Sequence, residues 1–260
     1  MGEYIGIKRK ARRCYGFDEI ALAPGRITIN PAEVKTDWEI DGKKFNVPIL
    51  AAAMDGVVDV RFAIAMGKLG GIAVLNLEGV QTRYEDPDEV LEQLVRADTE
   101  KATEIIQSIY TKPIQEKLIE KRIRQIKDAD VPAVVSAIPQ RAERFGKIAQ
   151  ESGADIFVIQ STVSTVKHIS KEYQALDIRR FNKTMKIPVI IGNCVGYEVA
   201  YELMAAGAAA LLVGIGPGAA CTTRGVLGIG VPQVTATVDC AAARDAFYKK
   251  TKKYIPIITD

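Results

Sequence analysis

The sequence predicts an α/β fold of the (β/α)₈ TIM-barrel type, present here to about seven strands. Seven short apolar runs recur along the chain, each opened by a proline or a glycine. Amphipathic stretches at helical spacing separate them. The richest glycine loop follows the sixth run, not the first. A doubly wound open sheet is the rival architecture, but it usually carries its glycine loop after the first strand. A barrel sets its active residues on loops after the C-terminal ends of several strands.

The strands are expected at 47–52, 71–76, 132–138, 155–161, 188–193, 209–214 and 255–259. Val47-Pro, Val131-Pro, Ile187-Pro and Ile255-Pro open four of them, because a proline costs little at the first residue of a strand. Gly70, Gly153 and Gly207 precede the other three, where a glycine suits the left-handed residue that ends a helix. The runs do not alternate in polarity, so both faces are buried, as in a parallel sheet. Ile114, Leu118, Ile119, Ile123 and Ile126 mark a helix over 114–127. Further helices are expected at 87–110, 140–152 and 195–206, with His168 on another after the fourth strand. Glu-Ser-Gly-Ala-Asp-Ile (151–156) and Met-Ala-Ala-Gly-Ala-Ala (204–209) echo one helix–glycine–strand unit. Residues 1–260 read as a single barrel domain with an N-terminal arm over about 1–45.

A content of 48% hydrophobic residues suits a soluble globular domain. The net charge of +3 is too small to argue for nucleic acid or an acidic membrane surface. The apolar stretch Ala205–Ala220 is short and broken by four glycines and Pro217, which excludes a membrane span. Cys14, Cys194, Cys221 and Cys240 lie far apart without a CxxC pair, so neither zinc nor a disulfide framework is expected. A reduced, cytoplasmic protein follows. The N-terminus has no apolar h-region, and Gly6 breaks the myristoylation pattern. The basic run Lys8–Arg13 reads as a solvated arm, with a phosphate patch or an address signal as alternatives. His168, the only histidine, reads as a surface residue.

After the sixth run comes Gly214-Ile-Gly-Pro-Gly-Ala-Ala-Cys-Thr-Thr-Arg224. Glycines let backbone N–H groups close on an anion. A cysteine at the tip, near Arg224, favours thiolate over thiol. The loop therefore reads as a nucleotide or phosphate cradle carrying a nucleophile. A tight strand-to-helix turn with a small buried cysteine is the alternative.

Together with Gly228-Ile-Gly-Val-Pro-Gln233, Val47-Pro-Ile-Leu-Ala-Ala-Ala-Met-Asp55, Ile191-Gly-Asn193 and Ile258-Thr-Asp260, this loop resembles the IMP dehydrogenase/GMP reductase family. The resemblance implies a purine nucleotide substrate (IMP, XMP or GMP), NAD or NADP, and a homotetramer or octamer. It implies that Cys221 adds to purine C2 and that Thr223 relays a proton; by the residue alone, Thr223 caps a helix. Met54, Asn193, Ala219 and Asp260 take substrate-binding positions. Core packing, a loop tie and a helix cap are the plain alternatives for Met54, Asn193 and Asp260. Gln160, Gly214, Ile215 and Gly216 take cofactor positions, and backbone carbonyls of Gly216, Gly218 and Cys221 a potassium site. Two positions depart from the family pattern: Ala219 replaces a phosphate-binding serine, and Gln160 an aspartate that meets the nicotinamide ribose. Residues 77–130 are too few for a CBS insertion, so the chain resembles GMP reductases and a CBS-less IMP dehydrogenase-like branch. The family's Asp-Gly-Gly turn begins at Asp260, which implies a fragment that is poorly active alone. The expected reaction is oxidation of IMP to XMP with NAD. GMP reduction by NADPH and a non-catalytic nucleotide-binding paralogue are the alternatives. Val231-Pro-Gln233 leans towards dehydrogenases, whereas the missing CBS insertion leans towards reductases.

Overall fold

The computed structural model describes residues 3–260. Its strands are β1 (Glu3–Gly6), β2 (Arg9–Ala11), β3 (Trp38–Ile40), β4 (Lys43–Phe45), β5 (Leu50–Ala51), β6 (Ile72–Asn76), β7 (Val134–Ala137), β8 (Ile156–Gln160), β9 (Val189–Cys194), β10 (Ala210–Val213) and β11 (Ile257–Thr259). Its α-helices are α1 (Val60–Lys68), α2 (Pro87–Val95), α3 (Thr99–Thr111), α4 (Glu116–Lys127), α5 (Pro139–Glu151), α6 (Ile178–Thr184), α7 (Tyr197–Ala205), α8 (Thr223–Leu227) and α9 (Gln233–Thr251).

Seven strands form one sheet in the order β11-β10-β9-β8-β7-β6-β5, and every neighbouring pair is parallel. These are the seven runs expected from the sequence. The period of two along each strand splits the core into two layers. Val74, Val134, Ile156, Val158, Ile190 and Leu212 point into the barrel. Leu75, Val135, Phe157, Ile159, Ile191 and Leu211 point outward to the helices. Leu50 of β5 and Ile258 of β11, from opposite ends of the order, pack on the same inner cluster. The sheet is therefore curled into an incomplete TIM barrel.

The arm expected over 1–45 holds more structure than an arm. β1 and β2 form a small antiparallel ladder, and β3 and β4 another. Ile40 and Phe45 of the second ladder are buried and join the barrel's inner cluster, with Trp38 packed beside them. This hairpin closes the N-terminal end of the barrel. Asp155, one residue before β8, ties it down: one carboxylate oxygen lies 3.3 Å from Lys43 Nζ, and the other accepts from Lys127 Nζ and Ala133 N–H, both at 2.9 Å.

Two helical expectations need correction. The stretch 87–110 is two helices, because Asp98 starts α3 as its N-cap. No helix carries His168: residues 161–177 form a loop, and α6 begins only at Ile178.

Burial pushes the Asp155 carboxyl up, but the Lys127 hydrogen bond, the Ala133 N–H and the charges of Lys127 and Lys43 outweigh it, so its pKa is held below the usual range. The ionised group therefore stabilises the fold above the unfolded-state pKa, and that contribution is lost as pH falls through the folded value. Asp155→Asn is expected to cost about 1.5–3 kcal/mol at neutral pH. The difference from the parent should shrink below about pH 4, as read by urea unfolding across pH.

Candidate functional site

The exits of β9, β10 and β11 meet at the C-terminal end of the barrel. Asn193, the penultimate residue of β9, is 9% exposed and donates from Nδ2 to Asp260 Oδ2 at 2.5 Å. Asp260 N–H donates to the Val213 carbonyl at 2.9 Å, and Gly214 N–H to the Cys194 carbonyl at 3.1 Å. Gly214 has φ +150°, and a Cβ there would lie 2.3 Å from the Asp260 carbonyl oxygen. Only glycine lets these two exits approach so closely. Gln160, at the end of β8, lines a 30 Å³ axial cavity together with Asp260, Ala52 and Ala53. That volume holds about one or two waters. A nucleotide therefore has room on the rim and not in the bore.

The cysteine loop folds back over itself. Ile215 and Val231 form an antiparallel bridge. Arg224 does not serve the thiol. Its aliphatic stem fills the space above Gly216 and Gly230, where a Cβ on either would lie 2.7 Å from Arg224 Cγ. Cys221 is exposed, and its N–H donates to the Gly218 carbonyl at 3.1 Å. Thr223, the first residue of α8, is the residue that acts on the thiol: its hydroxyl and backbone N–H lower the Cys221 pKa. Ala219 is exposed on the same loop. Met54 is 59% exposed on the loop after β5, so it is not a core methionine. The carbonyls of Gly216, Gly218 and Cys221, expected at a potassium site, belong to this loop, where the Gly218 carbonyl also accepts the Cys221 N–H. Among the described residues, no group of three or more His, Cys, Asp or Glu is placed to hold a metal. Cys194 and Cys240 are buried, as packing residues should be; pairing with Cys240 and burial keep the Cys194 thiol protonated.

A larger cavity, of 240 Å³, opens beside Gln160 between the loops after β7 and β8. Pro139 and Gln140 form one wall and Ser161–Thr165 another. His168 is exposed, as expected, yet it also lines this cavity, with its Nε2 2.9 Å from the Tyr173 hydroxyl and the two rings stacked. Sequence reasoning missed the cavity because its walls come from two loops far apart in the chain.

It also missed a pair of carboxylates. Asp55 accepts from Val80 N–H at 2.9 Å and from the Tyr110 hydroxyl, across the loops after β5 and β6. Gly79 makes room for it, since a Cβ there would fall 1.8 Å from Asp55 Oδ1. Glu78 accepts from Ile138 N–H at 3.3 Å and faces Arg141 Nε at 3.0 Å, across the loops after β6 and β7. Burial pushes the Glu78 carboxyl up, against the Ile138 N–H and the charges of Arg141 and Arg83. The available signal was position alone: Glu78 stands two residues beyond a strand's C-terminal end.

Thiolate is the alkylated species, so the rate of Cys221 modification rises with pH through the thiol pKa. The midpoint for iodoacetamide should lie below the ordinary cysteine value of about 8.5. Thr223→Ala should move it upward and Thr223→Ser should restore it, as read by mass spectrometry of the Cys221 peptide.

The IMP dehydrogenase / GMP reductase domain model matches residues 14–260. An uncharacterized oxidoreductase of Mycobacterium tuberculosis (strain ATCC 25618 / H37Rv) is 35% identical over 263 residues, covering 98% of this chain and 70% of that protein. An inosine-5′-monophosphate dehydrogenase of Cryptosporidium parvum is 28% identical, covering 94% of this chain and 60% of that one. Among solved structures, an IMP dehydrogenase/GMP reductase-like protein from Corynebacterium glutamicum superposes with a TM-score of 0.91 at 33% identity, covering 98% of this chain and 68% of that chain. With its parallel barrel, its rim of Asn193 and Asp260 and its glycine loop ending in Cys221, this chain belongs to the IMP dehydrogenase/GMP reductase family of oxidoreductases.

Proposed function

We propose that the protein oxidises IMP to XMP with NAD through a covalent adduct at Cys221. The observation that carries this reading is the exposed thiol at the tip of the glycine loop, two residues before the start of α8 at Thr223. Purine C2 is electrophilic, and a thiolate adds to it. Bound nicotinamide supplies the acceptor for the hydride that leaves C2. Water then adds at C2, the carbon–sulfur bond breaks, XMP departs and the thiolate returns. Thr223, two residues from Cys221, relays a proton: its hydroxyl accepts one from that water as its own passes to solvent. Asp260 accepts from ribose hydroxyls, and its bond to Asn193 fixes its orientation. Met54 and the backbone around Ala219 hold the base and the phosphate.

Gly214–Gly216, Gln160 and the cavity wall at Ser161–Thr165, which follows Gln160 directly in the chain, would hold the dinucleotide. Ser161 and Thr162 present hydroxyls there, which suits ribose better than an apolar ligand. Gln160 offers an amide where a carboxylate would accept two ribose hydroxyls, so the nicotinamide end is held by fewer charged bonds.

GMP reduction by NADPH is a second reading. The observation favouring it is that β6 and β7 are joined by only a turn and α2–α4, with no inserted domain. The non-catalytic reading is motivated by Ala219 and Gln160.

Cys221→Ala is expected to abolish NAD-dependent IMP oxidation, followed by absorbance of the reduced cofactor. IMP binding by calorimetry should stay within about threefold, because the sulfur acts in the transition state and not in the ground-state complex. An active Cys221→Ala protein would overturn the covalent route. Turnover of GMP with NADPH alone would favour the reductase. Nucleotide binding with neither turnover would favour the paralogue.

A further inference from the structure

We propose that Glu78 is a positioning residue for the dinucleotide, clamping the first turn of α5 so that Pro139 and Gln140 hold their wall of the 240 Å³ cavity. This rests on the reading that the dinucleotide occupies that cavity.

The start of α5 lacks a local cap. Its N-cap residue is Ile138, whose side chain cannot accept a hydrogen bond, and Pro139 follows it. Glu78 supplies the missing acceptor from a different loop, taking the Ile138 N–H at 3.3 Å and facing Arg141 of the same helical turn at 3.0 Å. Pro139 and Gln140, the two residues between those contacts, are the ones that line the cavity. A carboxylate at a helix N-terminus is favourable by charge, and this one reaches across the rim to provide it.

Glu78 is itself held firmly. Its N–H donates to Asn76 Oδ1 at 3.0 Å, and its carbonyl accepts from Arg83 Nε at 3.0 Å. Val80, two residues on, is fixed by Asp55 at 2.9 Å. The turn after β6 is thus anchored on the side of Met54 and Asp55, and it projects one carboxylate onto the start of α5. Two carboxylates link three consecutive rim loops. Asp55 serves the loop beside the nucleotide, and Glu78 serves the wall beside the dinucleotide.

The clamp therefore predicts a one-sided defect. Glu78→Ala should raise KM for the dinucleotide about tenfold, the usual worth of a hydrogen bond to a charged group, with kcat and the nucleotide KM within about twofold. Glu78→Gln keeps an acceptor for Ile138 N–H but loses the charge facing Arg141, and its rise should be smaller, about threefold. Hydrogen exchange at residues 138–141 should quicken in Glu78→Ala without any ligand present. A lowered melting temperature with an unchanged dinucleotide KM would overturn the proposal, leaving Glu78 a cap only. So would unchanged exchange at 138–141, whatever the protein's activity. Failure of the wild-type protein to bind NAD(H) or NADP(H), by contrast, would overturn the functional reading and this one with it.

Discussion

The close approach of β10 and β11 at their C-terminal ends governs the site. Parallel pairing sets Leu211, Leu212 and Val213 against Ile257, Ile258 and Thr259 in simple register. The register then forces Asp260 against the residue after β10. That residue is Gly214, with φ +150° and no Cβ to collide with the Asp260 carbonyl. The same tolerance recurs at Gly192, where a Cβ would lie 2.3 Å from Leu212 Cβ. Without these two glycines, three neighbouring strands could not bring Asn193, Asp260 and the root of the cysteine loop together.

The strands were legible in the sequence because burial on both faces leaves a clear trace. Val134, Ile156, Val158 and Ile190 fill the bore, while Val135, Phe157, Ile159 and Ile191 meet the helices, so apolar residues run on without alternation. The cysteine loop was legible because three glycines and a proline in so short a stretch have few structural explanations. The hairpin over 38–45 was not. Its strands are three residues each and carry Glu39, Lys43 and Lys44, so only Ile40 and Phe45 reach the core. The loop over 161–177 was misread as helical because local polarity says little about a segment held by long-range bonds. Ser164 Oγ, for instance, donates to the Gly192 carbonyl at 2.6 Å.

Site chemistry was legible as residue types and less so as partners. Arg224 stood close to Cys221 in sequence, and charge proximity suggested that it lowers the thiol pKa. The helix start at Thr223 changes that. Thr223 is the residue that lowers the thiol pKa, while the Arg224 stem folds over Gly216 and Gly230. Sequence adjacency specifies which groups are available, and local backbone geometry decides which one faces the thiol. Asp55 and Glu78 were missed for a related reason: their partners, Tyr110 and Ile138, lie far along the chain.

The bore and the rim answer different physical demands. A bore packed with valine, isoleucine and leucine down to 30 Å³ stabilises the barrel and leaves no room for a ligand. Binding is thereby confined to loops, whose backbone groups are unpaired and whose positions are costly to fix. The structure fixes them with few, well-placed acceptors. Asp155 holds the closed end, and Asp55, Glu78 and Asp260 hold the open end, each bridging segments that the sheet alone does not join. Asp155 and Glu78 also carry a burial cost that their partners must offset, which makes these two positions intolerant of losing one partner alone. The rim is accordingly rigid between β5 and β7 and between β9 and β11. The cysteine loop, exposed and closed by the turn at Gly218 and the bridge at Ile215, is the segment left free to meet a substrate.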